Sequence, residues 1–216
     1  MEQLIQTIAI AALPVIFAIT LHEAAHGYAA RHFGDPTAWQ LGRITLNPIK
    51  HIDLWGTIVI PAAILLFSGG AFLFGYAKPV PVNFGRLRHP KRDMLWVAAA
   101  GPAANLFMAL CWGLLLKLAW EMPANAYSFP LAEMSKIGIT INSVLMVLNL
   151  FPLPPLDGGR IAVSLLPMRA AIAYSRVEPW GFPILLVLLF TGILGAILSP
   201  FVDVVRMAIA GLFGLL

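Results

Sequence analysis

The sequence predicts an all-α polytopic membrane protein. Of its 216 residues, 60% are hydrophobic and 11% are charged, and the mean hydropathy is +0.85. Soluble globular proteins carry about 25% charged residues, and a soluble chain of this length cannot hide so much apolar surface in one core. A bilayer supplies an apolar outer solvent instead. No composition shift marks a second domain, so residues 1–216 are expected to form one integral-membrane domain.

Long apolar runs predict about four to six transmembrane helices. Residues 4–21 form the first run, and at about 1.5 Å per residue they nearly cross a hydrocarbon core of about 30 Å. The other runs predicted to be helical are 94–120, 137–150 and 182–198. Residues 201–216 are expected to lie in the interface or to form a short further helix.

Two stretches predict short membrane-associated β-strands. Residues 37–53 mix apolar and polar side chains, are too polar to span, and indicate short strands or a hairpin. Residues 78–83 alternate and contain two prolines, which cannot donate a ladder hydrogen bond. They are therefore an edge strand or an extended loop.

Basic residues predict the orientation. Lys and Arg flank residues 54–76 on both sides, so a single crossing would place one basic cluster outside, against the positive-inside rule. The central Ser68-Gly69-Gly70 suits a re-entrant bend, which leaves both clusters facing the cytoplasm. The N-terminus would then lie outside a cell membrane. The net charge of +4 does not indicate nucleic-acid binding, because the basic residues lie in loops between apolar runs.

The sharpest signal is His22-Glu23-Ala24-Ala25-His26, at the end of the first apolar run. Residues i and i+4 share one helix face, so both imidazoles can bind one Zn²⁺. Glu23 stands where a general base would take a proton from water. Ionisable groups in an apolar helix are costly and usually functional. The simpler alternative is that they pair internally or lie among lipid headgroups.

A zinc site needs a third protein ligand and an open position. Asp157 is the leading candidate, because it follows a proline-rich turn at the inner end of a helix, the depth expected for His22 and His26. The spacing alone leaves an alternative open, in which Asp157 is the N-cap of the helix that starts after Gly159.

Three motifs together resemble the site-2 protease family of intramembrane zinc metalloproteases. They are His22-Glu23-Ala24-Ala25-His26-Gly27, Gly101-Pro102-Ala103-Ala104-Asn105 and Asn149-Leu150-Phe151-Pro152-Leu153-Pro154-Pro155-Leu156-Asp157-Gly158-Gly159. The segment 75–83 is similar to one in short bacterial and archaeal members, and no PDZ or CBS domain is seen. The resemblance spans about residues 18–165 and implies that Asp157 is the third ligand.

The family resemblance also implies cleavage of transmembrane substrate helices at or within the bilayer. One Zn²⁺ per chain would be held by His22, His26 and Asp157, with Glu23 as general base and then general acid. Water must reach this depth through a polar cavity from the inner face. The implied partners are transmembrane protein substrates and the lipid bilayer, and the oligomeric state stays open.

Several residues are candidates for substrate binding. An unwound substrate would pair with a free strand edge, unless that segment is an ordinary surface loop; its residues are Pro79, Val80, Pro81, Val82 and Asn83. Asn105 and Asn149 either contact substrate or the oxyanion or make interhelical hydrogen bonds. The interhelical role is favoured for Asn105 and a role at the site for Asn149. Arg160 is expected to be an anchor at the inner face.

Two other functions use the same residues. A membrane peptidase would trim soluble or signal-derived peptides at the inner face. A metal-ion transporter would bind metal in transit through its His and Asp side chains. A transporter needs several sites along a path, whereas the sequence shows one cluster with a general base beside it.

Overall fold

The computed structural model describes residues 2–67, 75, 77–125 and 127–215. Throughout these residues the regular secondary structure is helical, as the composition predicts. The α-helices are α1 (Glu2–His32), α2 (Thr37–Gln40), α3 (Ile60–Phe67), α4 (Pro90–Glu121), α5 (Ser128–Leu150), α6 (Asp157–Leu165), α7 (Met168–Ser175), α8 (Glu178–Phe190) and α9 (Ile193–Phe213).

In the described part of the chain, four helices are long and apolar enough to cross a bilayer. They are α1 over Ala9–His32, α4, α5 and α9, and the α7–α8 pair, bent by 60°, would be a fifth if counted as one span. This number lies within the predicted range. The helix α8 has 13 residues, which is about 20 Å and too short to cross alone.

The helices α1, α4 and α5 run antiparallel to their neighbours. Ala18 of α1 contacts Asn105 of α4, while His26 further along α1 contacts the earlier Val97. The next pair follows the same rule, since Asn142 of α5 contacts Asn105 of α4, while the earlier Gly138 lies against the later Trp112. The end of α1, the start of α4 and the end of α5 therefore meet at one end of the bundle, close to His32, Pro90 and Leu150, which we call the basal end.

This arrangement constrains the segment predicted to re-enter. Since α1 ends and α4 begins at the basal end, the connection between them crosses the bilayer an even number of times or not at all, so a single crossing between these two helices is excluded. The π-helical turn Leu54–Val59 and α3 have 6 and 8 residues, about 20 Å together. The geometry is compatible with re-entry, although the predicted bend at 68–70 lies outside the described residues.

The prediction of strands in residues 37–53 is wrong. The structure has α2, a turn and the 3-10 helix Pro48–His51 there. The Asp35 carboxylate accepts the N–H of Thr37, and the Asn47 side chain accepts the N–H of Ile49. Such local side-chain bonds compete with a strand ladder for the same backbone groups.

Residues 77–83 are extended but pair with no other described strand, so the extended-loop alternative is the one found. Two of residues 78–83 are prolines and have no N–H. Three of the other four N–H groups are bonded to the carbonyl of His51 and to the side chains of Glu23 and Asp35. These contacts tie the loop to the end of α1 and leave little for a ladder.

The helix predicted over residues 182–198 is broken. Gly192 has φ +75° and ends α8 before α9 begins, a left-handed conformation that glycine adopts without strain. The tail 201–216 is then largely part of α9 and not an interfacial segment. Ile209 and Phe213 pack against Gly113, so α9 ends in the half of the bundle opposite the basal end.

Candidate metal centre and its cavity

Two histidines of α1 and the first residue of α6 converge near the basal end. The Nε2 atoms of His22 and His26 are 3.1 Å apart, and the Oδ2 atom of Asp157 lies 3.3 Å from the first and 3.2 Å from the second. All three side chains are buried. One turn of helix brings the imidazoles together, but only the tertiary fold brings the carboxylate to them.

Hydrogen bonds on the far side of each ring orient the imidazoles. His22 Nδ1 lies 2.6 Å from Asn105 Oδ1, and His26 Nδ1 lies 2.7 Å from the carbonyl oxygen of Val97. A carbonyl only accepts, so His26 must donate from Nδ1. A ring that donates from Nδ1 keeps the Nε2 lone pair for a metal, the usual arrangement at metal centres.

Close backbone packing positions Asp157. A Cβ at Gly158 would lie 2.2 Å from the carbonyl oxygen of Leu150, and one at Gly159 would lie 2.3 Å from the nitrogen of Pro154. The start of α6 is thus pressed against the end of α5 and its proline-rich turn. The N-cap position of α6 is Leu156, and Asp157 is the first residue inside the helix, so the N-cap alternative is wrong.

The three side chains fit a zinc ion. Tetrahedral bonds of about 2.0–2.2 Å place ligand atoms about 3.3–3.6 Å apart, close to the observed separations. Asp157 Oδ2 is buried and has no hydrogen-bond partner among the described residues. This carboxylate oxygen and the two imidazole Nε2 atoms face one point. A cation placed there would stabilise the three buried acceptors.

The centre opens into a cavity of about 550 Å³. Glu23, which is partly buried, lies in its wall beside the metal-ligand candidates. Apolar side chains of the loop 77–84 and of α8 form much of the remaining wall. The lining residues are His22, Glu23, His26, Ile60, Ala77, Pro79, Val80, Val82, Phe84, Ala98, Asn149, Pro155, Leu156, Asp157, Arg160, Gly181, Phe182 and Leu185.

The structure divides the residues predicted to bind substrate into two groups. Pro79, Val80, Val82 and Asn149 line the cavity. Pro81, Asn83 and Asn105 are not among its described lining residues. Asn105 is fully buried between α1, α4 and α5, where it makes the interhelical contacts that the sequence analysis favoured.

Two buried polar residues that support the centre or the loop beside it were missed. Asn142 is fully buried and donates its Nδ2 hydrogen to the carbonyl oxygen of Gly138, while its Oδ1 accepts from Asn105. A polar side chain in an apolar helix was the signal used for Asn105 and Asn149, and it applies equally to Asn142. Asp35 is also fully buried, and its place at a turn signal concealed its role in holding the loop 77–83.

Arg160, which was predicted to be an anchor at the inner face, lies in the cavity wall. Its guanidinium is 4.9 Å from the ring centre of Phe84 and 3.5 Å from the Glu178 carboxylate. It therefore bridges the two walls formed by the loop 77–84 and by α8. The sequence offers no signal for this pairing, because the partners lie on separate segments of the chain.

The fold and the centre together define an integral membrane protein with a buried group of two histidines and one aspartate that fits a metal ion. The model for Peptidase family M50 matches residues 120–192, which include Asp157 but not α1. The chain belongs to this family, the site-2 protease family, because a relative named as a zinc metalloprotease matches it over nearly the whole length of both chains.

That relative is Putative zinc metalloprotease YwhC of Bacillus subtilis, 41% identical over 205 residues, or 93% of this chain and 89% of the relative. Putative zinc metalloprotease Rip2 of Mycolicibacterium smegmatis is 33% identical over 178 residues, or 82% of this chain and 64% of that protein. No solved structure gives a significant match.

Proposed function

We propose that the chain is an intramembrane zinc endopeptidase that hydrolyses peptide bonds in or next to transmembrane segments of other membrane proteins. The observation that carries this proposal is the convergence of His22, His26 and Asp157 beside Glu23 in the wall of a cavity among apolar helices. Membership of Peptidase family M50 and relatives named as zinc metalloproteases support it.

The catalytic roles follow from the donor set. His22, His26 and Asp157 would hold one Zn²⁺ per chain, which when bound supplies Lewis acidity toward the scissile carbonyl and the attacking water. Glu23 accepts the proton of that water and passes it to the leaving nitrogen. Its Oε2 accepts a hydrogen bond from the backbone of Val80 at 2.7 Å, so Oε1 is the oxygen available for this proton transfer.

The loop 79–83 is proposed to hold the substrate as an unwound strand. A helical substrate shields its carbonyl groups with its own hydrogen bonds, so it must unwind before cleavage. In an extended backbone the N–H and C=O groups of one residue point to the same side, and alternate residues share a side. The carbonyl of Val80 and both polar groups of Val82 have no partner among the described residues and are available for strand addition.

Asn149 is proposed as a second substrate contact. Its Nδ2 donates to the carbonyl of Leu145 at 2.9 Å, while its side chain lines the cavity. That bond leaves the Oδ1 atom to accept a backbone N–H of the substrate. Apolar side chains of Ile60, Phe182 and Leu185 would contact the substrate side chains.

The basal end is proposed to face the cytoplasm of the cell membrane. Lys and Arg are concentrated in residues 31–92 and 160–176, next to the basal end, and the exceptions are Lys117, Lys136 and Arg206. Cytoplasmic segments carry the excess of positive charge. The N-terminus would then lie outside. A cysteine at position 50 should react with an impermeant maleimide only in opened cells, and one at position 125 should react in intact cells.

Reconstitution with a single-span substrate tests the activity. Wild type should cut the substrate within or next to its apolar helix, and Glu23→Gln should abolish cutting while keeping about one zinc per chain. Glu133→Gln is the matched control, since Glu133 is on α5 and pairs with Lys136 at the surface. Zinc-loaded wild type that leaves the substrate intact would contradict the proposal.

The position of the cut separates the alternatives. Cuts confined to soluble flanking peptides would favour a peptidase that trims at the inner face. Zinc flux into vesicles that persists in Glu23→Gln would favour a transporter. Among the residues that the structure describes, His22, His26 and Asp157 form the one group suited to a metal, and a transport path would need more.

A further inference from the structure

We infer that the backbone N–H of Val80 is a positioning group for Glu23, holding that carboxylate in the orientation that proton transfer requires. The inference rests on the proposed function, because it assigns a role to a contact with the proposed general base. It assigns the loop 77–83 a part in the chemistry itself, in addition to any contact with substrate.

The contact is short and crosses between distant parts of the chain. Val80 N–H donates to Glu23 Oε2 at 2.7 Å, the length of a charge-assisted hydrogen bond. Glu23 follows His22 on α1, and Glu23 and Val80 line the same cavity. One carboxylate oxygen is thereby occupied by a backbone group, and the other is left to the reacting water.

The Pro-Val-Pro sequence explains why the donor is Val80. Proline has no N–H, so of residues 79, 80 and 81 only Val80 can donate. Proline also restricts the residue before it to extended conformations, which suits the observed backbone. The two prolines thus leave a single donor in this stretch, and the structure directs that donor to Glu23.

The donor is held rigidly from several sides. The guanidinium of Arg43 donates to the carbonyl oxygens of Lys78 and Pro79 at 3.0 and 3.3 Å. The Val80 side chain is buried, with a Cγ atom against Gly27 of α1. A donor fixed before the reaction costs no reorganisation during it. By contrast, a free glutamate side chain samples many rotamers, and ordering it costs conformational entropy.

The geometry also divides the work of the loop. The Val80 N–H is engaged by Glu23 and is not free for a substrate strand, whereas the Val82 N–H has no partner among the described residues. Loss of the Val80 donor should therefore lower kcat. Loss of the Val82 donor should instead raise KM, if the substrate pairs there.

Val80→Pro removes this one N–H and keeps an extended backbone. We expect kcat to fall roughly 10- to 100-fold, part of the 10²- to 10⁴-fold that a general base contributes, with KM within about twofold and zinc content unchanged. Val80→Ala keeps the N–H and measures what the lost side chain contributes. The kcat of Val80→Pro should be about tenfold or more below that of Val80→Ala.

An ester in place of the amide at position 80, with the valine side chain retained, removes the donor without the proline ring. The ester variant replaces Val80→Pro in the test if Val80→Pro has a clearly lower Tm in detergent than wild type. An infrared difference spectrum of wild type against Glu23→Gln identifies the Glu23 carboxylate band without substrate. The position of that band is then compared between wild type and the ester variant, because loss of the hydrogen bond should shift it.

The inference is overturned if the ester and Val80→Pro retain the kcat of Val80→Ala, or if only KM changes. It is also overturned if the Glu23 carboxylate band of the ester variant is the same as that of wild type. The infrared result separates this failure from that of the proposed function. If zinc-loaded wild type cuts no transmembrane substrate, the proposed function is refuted. The Glu23 carboxylate band would still report whether the Val80 N–H is bonded to Glu23.

Discussion

Asn105 holds His22 by a hydrogen bond of 2.6 Å from the imidazole Nδ1 to the amide oxygen. The direction of this bond follows from the other end of the amide. Asn105 Nδ2 faces the carbonyl oxygen of Ala18 at 3.1 Å and Asn142 Oδ1 at 3.0 Å, and both positions need a donor. The Asn142 amide is oriented in turn by the carbonyl of Gly138. His22 must therefore donate from Nδ1, which leaves Nε2 for the metal.

Asn105→Ala should lower the zinc affinity roughly 10- to 100-fold, as loss of an outer-shell partner typically does. It should also reduce stability by about 1–3 kcal/mol, because the buried Nδ1–H loses its acceptor. Competition with a zinc chelator measures the affinity. Ser143→Ala is the control, since Ser143 carries a buried hydroxyl on α5 that donates to the carbonyl of Ile139 in its own helix. Equal affinities in wild type and Asn105→Ala would refute the orienting role.

Gly101→Ala should strongly reduce zinc binding. The added Cβ would lie 2.4 Å from His26 Nε2 and 2.6 Å from His22 Cε1, and both rings are held from behind. Gly113→Ala is the matched control on the same helix, because its Cβ would meet Ile209 and Phe213 and not the centre. Metal analysis should find zinc reduced to roughly a tenth or less in the first variant and retained in the second. Retention in both would show that the rings move aside.

Gly181→Ala should push α8 away from the turn that precedes Asp157. Its Cβ would lie 1.6 Å from the carbonyl oxygen of Pro154, and overpacking of this kind costs about 1–3 kcal/mol. Thermal unfolding in detergent should show a lower Tm, and proteolysis should slow because α8 forms a wall of the cavity. Gly195→Ala on α9 has open space around the new Cβ and should leave both unchanged. A wild-type Tm for Gly181→Ala would mean that α8 is not tightly seated.

Asp35→Asn should loosen the loop 77–83 without removing zinc. The buried carboxylate accepts the N–H of Asn83 at 2.6 Å and two donors of Thr37. An amide has one acceptor oxygen, so it would set an N–H against one of those donors. We expect roughly a tenfold loss in kcat/KM, about 1.4 kcal/mol, with the zinc content of wild type.

Thr37→Val is the companion variant, since it removes only the hydroxyl donor and keeps both backbone donors to Asp35. It should lose less activity than Asp35→Asn. If the two variants are equally impaired, the anchor of the loop is the Thr37 hydroxyl rather than the Asp35 carboxylate.

The sequence predicted most reliably where one helix was enough. Two histidines four residues apart meet on any helix face, so the pairing of His22 with His26 needed no tertiary information. The strands predicted in residues 37–53 failed, since mixed polarity also suits turns that Asp35 and Asn47 cap through their side chains. The break at Gly192 was missed because isolated glycines within an apolar run, here Gly192 and Gly195, are compatible with a continuous helix.

What the sequence determined by itself is an apolar helical chain with two candidate metal ligands on one turn of helix and a candidate base beside them. Those properties depend on composition and on contacts between near neighbours. The tertiary structure decided that Asp157 reaches the two imidazoles, that Asn105 and Asn142 orient His22, and that Val80 contacts Glu23. These pairs lie tens to more than a hundred positions apart, so they exist only because particular faces of α1, α4 and α5, with the loops at the basal end, pack together.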